Sequence, residues 1–167
     1  MAKFIISTEK EITKENVQNW LSEFESNIKP KLELLNSFYK GEDDLKKAKL
    51  PKKRINNQIH VNLASMIVNN SVNYFIGKPV TYKFNNFDEK LIEDLQEEEE
   101  EENKSLAKDC SKFGLAYELT NVKGNENKNL YFKRMDPLFT PWVRDASILQ
   151  DTICFMSYVI IKEKDKS

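Results

Sequence analysis

From Ile55 to Gly77 the chain carries no Lys, Arg, Asp or Glu, in a protein of 167 residues of which 32% are charged. Such a gap marks the part of the chain that is expected to be buried. On a helical wheel Asn62, Ser65, Asn69 and Asn73 fall into one narrow stripe. Ile59, Leu63, Ala64, Ile67, Val68, Val72, Phe75 and Ile76 cover most of the remaining circumference. A helix apolar over that much of its surface is expected to be the central one. Gly77 is expected to end it in the left-handed conformation, and Pro79 bars its continuation, so residues 80–84 are read as a strand with alternating faces. A membrane span is the competing reading. Six asparagines, one glutamine and one histidine within the run argue against it, because an unpaired amide in hydrocarbon is costly.

Forty percent apolar content suffices for a single core in a chain of 167 residues. A net charge of −1 argues against a surface tuned throughout for nucleic acid. Cys110 and Cys154 lie too far apart for a zinc knuckle, and His60 is the lone histidine, so both cysteines read as reduced thiols of a cytosolic protein. The first residues, Met-Ala-Lys-Phe-Ile-Ile-Ser, hold too short an apolar run for a secretory signal.

Ahead of the uncharged run, Thr13 is a plausible N-cap for a helix with Val17, Trp20, Leu21, Phe24 and Ile28 on one side. Pro30 breaks that helix or opens the next, which carries Leu32, Leu35, Phe38 and Tyr39 and ends at Gly41. These residues read as a helical arm. From Lys46 to Arg54 six of nine residues are basic, interrupted by Leu50-Pro51. That connector reads as a solvated loop; phosphate contacts by Lys52, Lys53 and Arg54 are the functional alternative.

Between Asp88 and Glu102 there are ten acids against one lysine. Consecutive carboxylates point all around a helix and repel, so a solvated helix end or mobile loop is expected rather than a metal or acid/base site. Residues 103–113 return to helix with Leu106, Ala107, Cys110 and Phe113 inward, and Gly114 as the stop. Residues 115–122 and 129–135 read as a β-hairpin. Asp136-Pro137 caps a turn, and residues 151–161 supply a last strand. The fold class is therefore α+β: an N-terminal helical arm and connector over residues 1–54, then a domain over residues 55–167 with a central helix and an antiparallel sheet of hairpins backed by helices. No phosphate-cradling glycine loop, nucleophile elbow or paired histidines occur, so neither an enzyme nor a cofactor or metal site is expected.

Three blocks in order carry a resemblance. They are Lys53-Arg-Ile-Asn-Asn57 through Tyr74-Phe-Ile-Gly-Lys-Pro-Val-Thr-Tyr82, then Glu102-Asn-Lys-Ser-Leu-Ala-Lys-Asp-Cys-Ser-Lys-Phe-Gly-Leu-Ala-Tyr-Glu-Leu119, and Phe132-Lys-Arg-Met-Asp-Pro137. Together they resemble the N-terminal part of bacteriophage portal proteins from long-tailed phages of Gram-positive hosts. The resemblance makes Asn56, Asn57, Gly77, Lys78, Pro79, Gly114, Asp136 and Pro137 signature positions with shape-determining roles. It implies a wing-like α+β region of a ring of about a dozen subunits at one capsid vertex, built on heterologous contacts. Its partners would be other portal subunits, terminase, head-completion proteins and double-stranded DNA in the channel, with no membrane. The location would be the virion or the host cytoplasm. The sequence stops at Lys162-Glu-Lys-Asp-Lys-Ser167, before the family's stem and clip, so a fragment or truncated form is expected that alone is monomeric or weakly associated. A small nucleic-acid-associated protein using the basic connector is the alternative. For the connector, we expect no DNA binding at roughly physiological salt, where a few phosphate contacts are weak. Micromolar binding in a filter or anisotropy assay, steeply salt-dependent and lost on Lys52→Ala/Lys53→Ala/Arg54→Ala, would reverse that reading.

Overall fold

The residues that fill the interior come early in the chain. The computed structural model describes residues 4–42, 61–78, 89–123 and 129–159. Strand β1 (Ile5–Ser7) is followed by helix α1 (Lys14–Glu23), which runs through a π-helical turn (Phe24–Ile28) into α2 (Lys29–Lys40). Thr13 caps α1 as its sequence position suggests: it is extended, and its Oγ1 accepts from the Asn16 N–H at 3.2 Å. Trp20, Phe24, Ile28 and Leu32 are all buried and are spaced by four residues. In an α-helix of 3.6 residues per turn such a row swings by about 40° per step. The wider turn, where the Lys29 N–H reaches back to the Phe24 carbonyl, takes up part of the swing and keeps the row on one face. It also falls just before Pro30, which has no N–H to return to Ser26. Gly41, left-handed at φ 68°, ends α2 with its N–H on the Phe38 carbonyl at 3.0 Å.

The row packs on Ile5 and Val143 of a three-stranded sheet, with Phe113 closing the cluster. Its order is β1-β4-β5, where β4 is Trp142–Asp145 and β5 is Thr152–Phe155. The antiparallel β4–β5 pair belongs to the expected class, while β1 adds a parallel pair with Ile5 opposite Val143. A second sheet is the expected hairpin, β2 (Tyr117–Lys123) against β3 (Asn129–Met135), in register from Tyr117↔Met135 to Lys123↔Asn129. Its turn, residues 124–128, lies outside the described residues. The architecture is α+β, and residues on either side of position 54 share one core.

Two helices differ from their sequence reading. The acidic run forms the N-terminal end of α4 (Glu89–Phe113), a helix of 25 residues that continues without a break into residues 103–113, so of the two expected forms it is the helix end and not the loop. Gly114, at φ 69°, stops it as expected. The inward row holds Phe113 and Asp109, whereas Cys110, expected inward, is exposed.

The uncharged run gives α3 (Leu63–Phe75), and α3 is not a central buried helix. Only Val68 and Val72 are buried; Leu63, Ile67 and Phe75, expected inside, are exposed. The polar stripe explains the inversion. Asn62 Oδ1 accepts from the Ser65 N–H as the N-cap, Asn62 Nδ2 donates to the Tyr39 carbonyl at 2.8 Å, and the Tyr39 hydroxyl donates to Asn69 Oδ1. Two asparagines of the stripe, Asn62 and Asn69, therefore dock α3 on the end of α2. Gly77 is not left-handed either; a Cβ there would meet the Asn73 carbonyl oxygen at 2.2 Å, so glycine is required by close approach.

Adjacent residues on α3 make the distinction measurable. Val68→Asp would bury an unpaired carboxylate and should cost several kcal/mol in a urea melt. Ile67→Asp should stay within about 0.5 kcal/mol of the parent. Equal shifts would mean that α3 packs in the way its helical wheel suggests.

Candidate interaction surface

The signature positions that the structure describes sit at element ends and do not converge on a site. Gly77 and the exposed Lys78 follow α3, and Gly114 ends α4. Asp136 caps a 3-10 turn (Pro137–Phe139), its Oδ1 accepting from the Leu138 N–H at 3.0 Å, with Pro137 buried as the first residue of that turn. Asn56, Asn57, Pro79, Lys52, Lys53, Arg54 and the 80–84 strand lie outside the described residues. Among the described residues no group of three or more His, Cys, Asp or Glu is arranged to hold a metal ion, and no helix is long and apolar enough to cross a membrane.

What the fold presents instead is apolar surface held by polar anchors. Along α3, Leu63, Met66, Ile67, Tyr74 and Phe75 are exposed, Tyr74 at 93%. Scattered apolar side chains on a surface are ordinary, but a contiguous apolar helix face marks an interaction surface. Beside it runs an open groove of about 520 Å³ between α3, α4 and the start of β2. Val72, Phe75, Ile76, Leu106 and Ala107 line it, with Cys110 and Glu118 at its walls. Burial raises the Glu118 pKa, and the nearby Glu99 and Glu102 raise it further.

One anchor fixes the groove. Asp109, 2% exposed, receives the Arg134 Nε–H from β3, and the Lys112 ammonium stands 3.6 Å from its other oxygen. The Arg134 backbone N–H donates to Glu102 at 2.8 Å, so two turns of α4 grip one residue of the hairpin. The bond to Asp109 raises the Arg134 pKa, and Lys112 also lies 5.1 Å from the Tyr39 ring centroid, reaching α2.

A second anchor holds the β4–β5 turn. The Asp145 carboxylate, 3% exposed, accepts from the Ser147 hydroxyl at 2.6 Å, the Ser147 N–H at 3.1 Å and the Asp151 N–H at 3.0 Å, and pairs with Lys10 at 3.0 Å. Arg144 Nε donates to the Gln150 carbonyl at 2.6 Å. Between these bonds Ile148 and Leu149 stand out, Ile148 at 103% relative exposure. Neither anchor was found from sequence. Asp109 and Arg134 are 25 residues apart with no periodic signal, and Asp145-Ala-Ser147 reads only as a generic turn.

Comparison with known proteins gives the context. The model of the family described as phage portal protein, SPP1 Gp6-like, matches residues 18–167. The chain belongs to this portal protein family. No curated protein matches the chain. The family is one of structural proteins of the phage particle. The matched span takes in α2, α3, α4, both hairpin strands and the β4–β5 turn, hence both anchoring carboxylates, Asp109 and Asp145, while Lys10 precedes it.

The Asp145 anchor sets a pH dependence. Hydrogen bonds from Ser147 and Lys10 pull its pKa from 3.8 down to about 2. A carboxyl depressed in the folded state stabilises fully above its unfolded pKa and loses that contribution as pH falls through the folded one. Thermal melts should therefore show wild type more stable than Asp145→Asn above about pH 4, with the gap narrowing from there towards pH 2. A gap that stays constant down to pH 2 would exclude the ionised carboxylate as the anchor.

Proposed function

We propose that this portal protein is a subunit of the ring at one capsid vertex through which DNA is packaged, contributing the wing-like outer part of that ring. The observation that carries the reading, beyond family membership, is the α3 face. An apolar helix exposed along its length, tied down by asparagines on its polar side, suits a subunit whose partner covers it. In this reading the helices before position 54 belong to the wing, since they share its core. Gly77, Gly114, Asp136 and Pro137 act by shaping element ends. DNA, terminase and head-completion proteins are partners of the assembled ring, and the virion is its location.

The reading is tested in particles. In capsids purified from the source strain this chain should be present at about a dozen copies, with antibody labelling confined to one vertex. Hundreds of copies per capsid, or none in particles whose vertex holds another portal subunit, would overturn it.

A further inference from the structure

We propose that the apolar tip Ile148–Leu149 of one subunit seats in the α3–α4 groove of the next, making a head-to-tail contact between copies of this chain. The proposal rests on the portal reading and names the surfaces that the ring would use.

The argument begins with the tip. An exposed turn is normally polar, and its ordering is costly in backbone entropy. This one carries two adjacent large apolar residues at its outermost point. It is held by a nearly buried carboxylate, by Arg144 on the Gln150 carbonyl and by the Asp145 N–H on the Asp151 carbonyl at 2.9 Å. Such bonds hold the tip in one shape before any partner arrives, which is what lowers the entropic cost of docking. The groove is its counterpart, apolar along its floor and open, and of a size to admit two aliphatic side chains.

Their placement decides the occupant. At the start of β4, Trp142 stacks on Phe155 at 5.3 Å, and both lie against Tyr117. Tyr117 is flanked by Ala116 and Glu118, which line the groove. The tip follows Asp145, at the other end of β4. The groove lies between α3, α4 and the start of the hairpin, whereas the tip closes the β4–β5 pair of the other sheet, so groove and tip are separate surfaces of one subunit. A knob on one surface and an apolar hollow on another generate a heterologous contact, which propagates from copy to copy and closes into a ring if its rotation allows. The area is consistent. Two side chains cover far less than the roughly 1,200 Å² of a stable pairwise interface, so the contact is weak between two free subunits and gains strength where each subunit makes it twice in a closed assembly.

Native Cys110 on the groove wall supplies the test. A disulfide needs Cα atoms within about 7 Å, so Leu149→Cys should cross-link to Cys110 of a neighbour only if tip and groove meet. Under mild oxidation of the full chain at high concentration, Leu149→Cys is expected to give a ladder of dimers, trimers and higher species. Peptide mapping should find the 110–149 link, because each subunit then carries reactive thiols on both surfaces. The variants Leu149→Cys/Cys110→Ser and Asn19→Cys should give no ladder. In parallel, Ile148→Asp/Leu149→Asp, whose side chains make no core contacts, should fold normally by circular dichroism and lower the association constant at least fivefold by sedimentation.

Dimers alone, or a 110–149 link no more abundant than the 19–110 link of the control, would overturn the proposal. If wild-type protein nevertheless self-associates, the portal reading survives and another surface carries the contact. If the tip instead cross-links to a different phage protein in particles, that protein is its partner and the subunit contact falls.

Discussion

The fold depends on one row of side chains. Trp20, Phe24, Ile28 and Leu32 lie against Ile5 and Val143, and every other element is placed relative to that contact. Burying a large apolar side chain contributes about 1.5–3 kcal/mol, so four in line outweigh any single polar contact in the molecule. The row also makes the parallel β1–β4 pair possible. Parallel strands need a long crossover, and here nearly the whole chain lies between them, so the pairing stands only because α1 and α2 cover its inner face. The Trp20 indole N–H, at 3.0 Å from the buried Ser7 hydroxyl, ties the helix row to the end of β1.

Much of this was legible in the sequence, and what was not has identifiable causes. Periodicity and caps located α1, α2, the hairpin and the stops at Gly41 and Gly114, because those signals are local. The family resemblance rested on three ordered blocks, which are also local. The burial of α3 was misjudged because a helical wheel shows which faces differ, not which one has a neighbour. Two asparagines of the run, Asn62 and Asn69, bond to Tyr39 on another helix, a contact that no wheel displays. The anchors at Asp109 and Asp145 were invisible for another reason. Their meaning comes from partners distant in sequence or from a loop geometry that a turn-forming composition does not specify.

The acidic run at the start of α4 shows how a self-repelling stretch stays helical. Acids occupy the first part of the helix, while Lys104, Lys108 and Lys112 follow at four-residue spacing in its second part. Negative charge near the N-terminus and positive charge near the C-terminus both oppose the helix dipole favourably. Lys104 pairs with Glu100 one turn before it, and Glu102 takes the Arg134 N–H. Repulsion among the carboxylates is thus met by the axial sorting of charge and by the hairpin, and the helix continues through a stretch that alone would favour coil. Beside the groove burial raises the Glu118 pKa, and the neighbouring Glu99 and Glu102 of the acidic run add to it.

The two sheets meet through rings rather than through shared strands. Tyr117 of the hairpin packs edge-on against Phe155 at 5.6 Å and Trp142 at 6.4 Å, and burial pushes its hydroxyl up to about 12. Arg144 lies over Trp142 at 4.7 Å and Phe4 at 5.0 Å while its Nε holds the β4–β5 turn. One guanidinium therefore links the aromatic joint to the tip beyond it. In a closed ring the rotation between neighbours is fixed by subunit number, so a small change in the angle between groove and tip accumulates around the circle and prevents closure. Tyr117 set edge-on against the stacked Trp142–Phe155 pair resists such a change better than a flexible loop would, because tilting it loses contact with both rings at once. Under the proposed contact, the ring joint between the hairpin and the β4–β5 pair bears on the rotation that each added subunit would repeat.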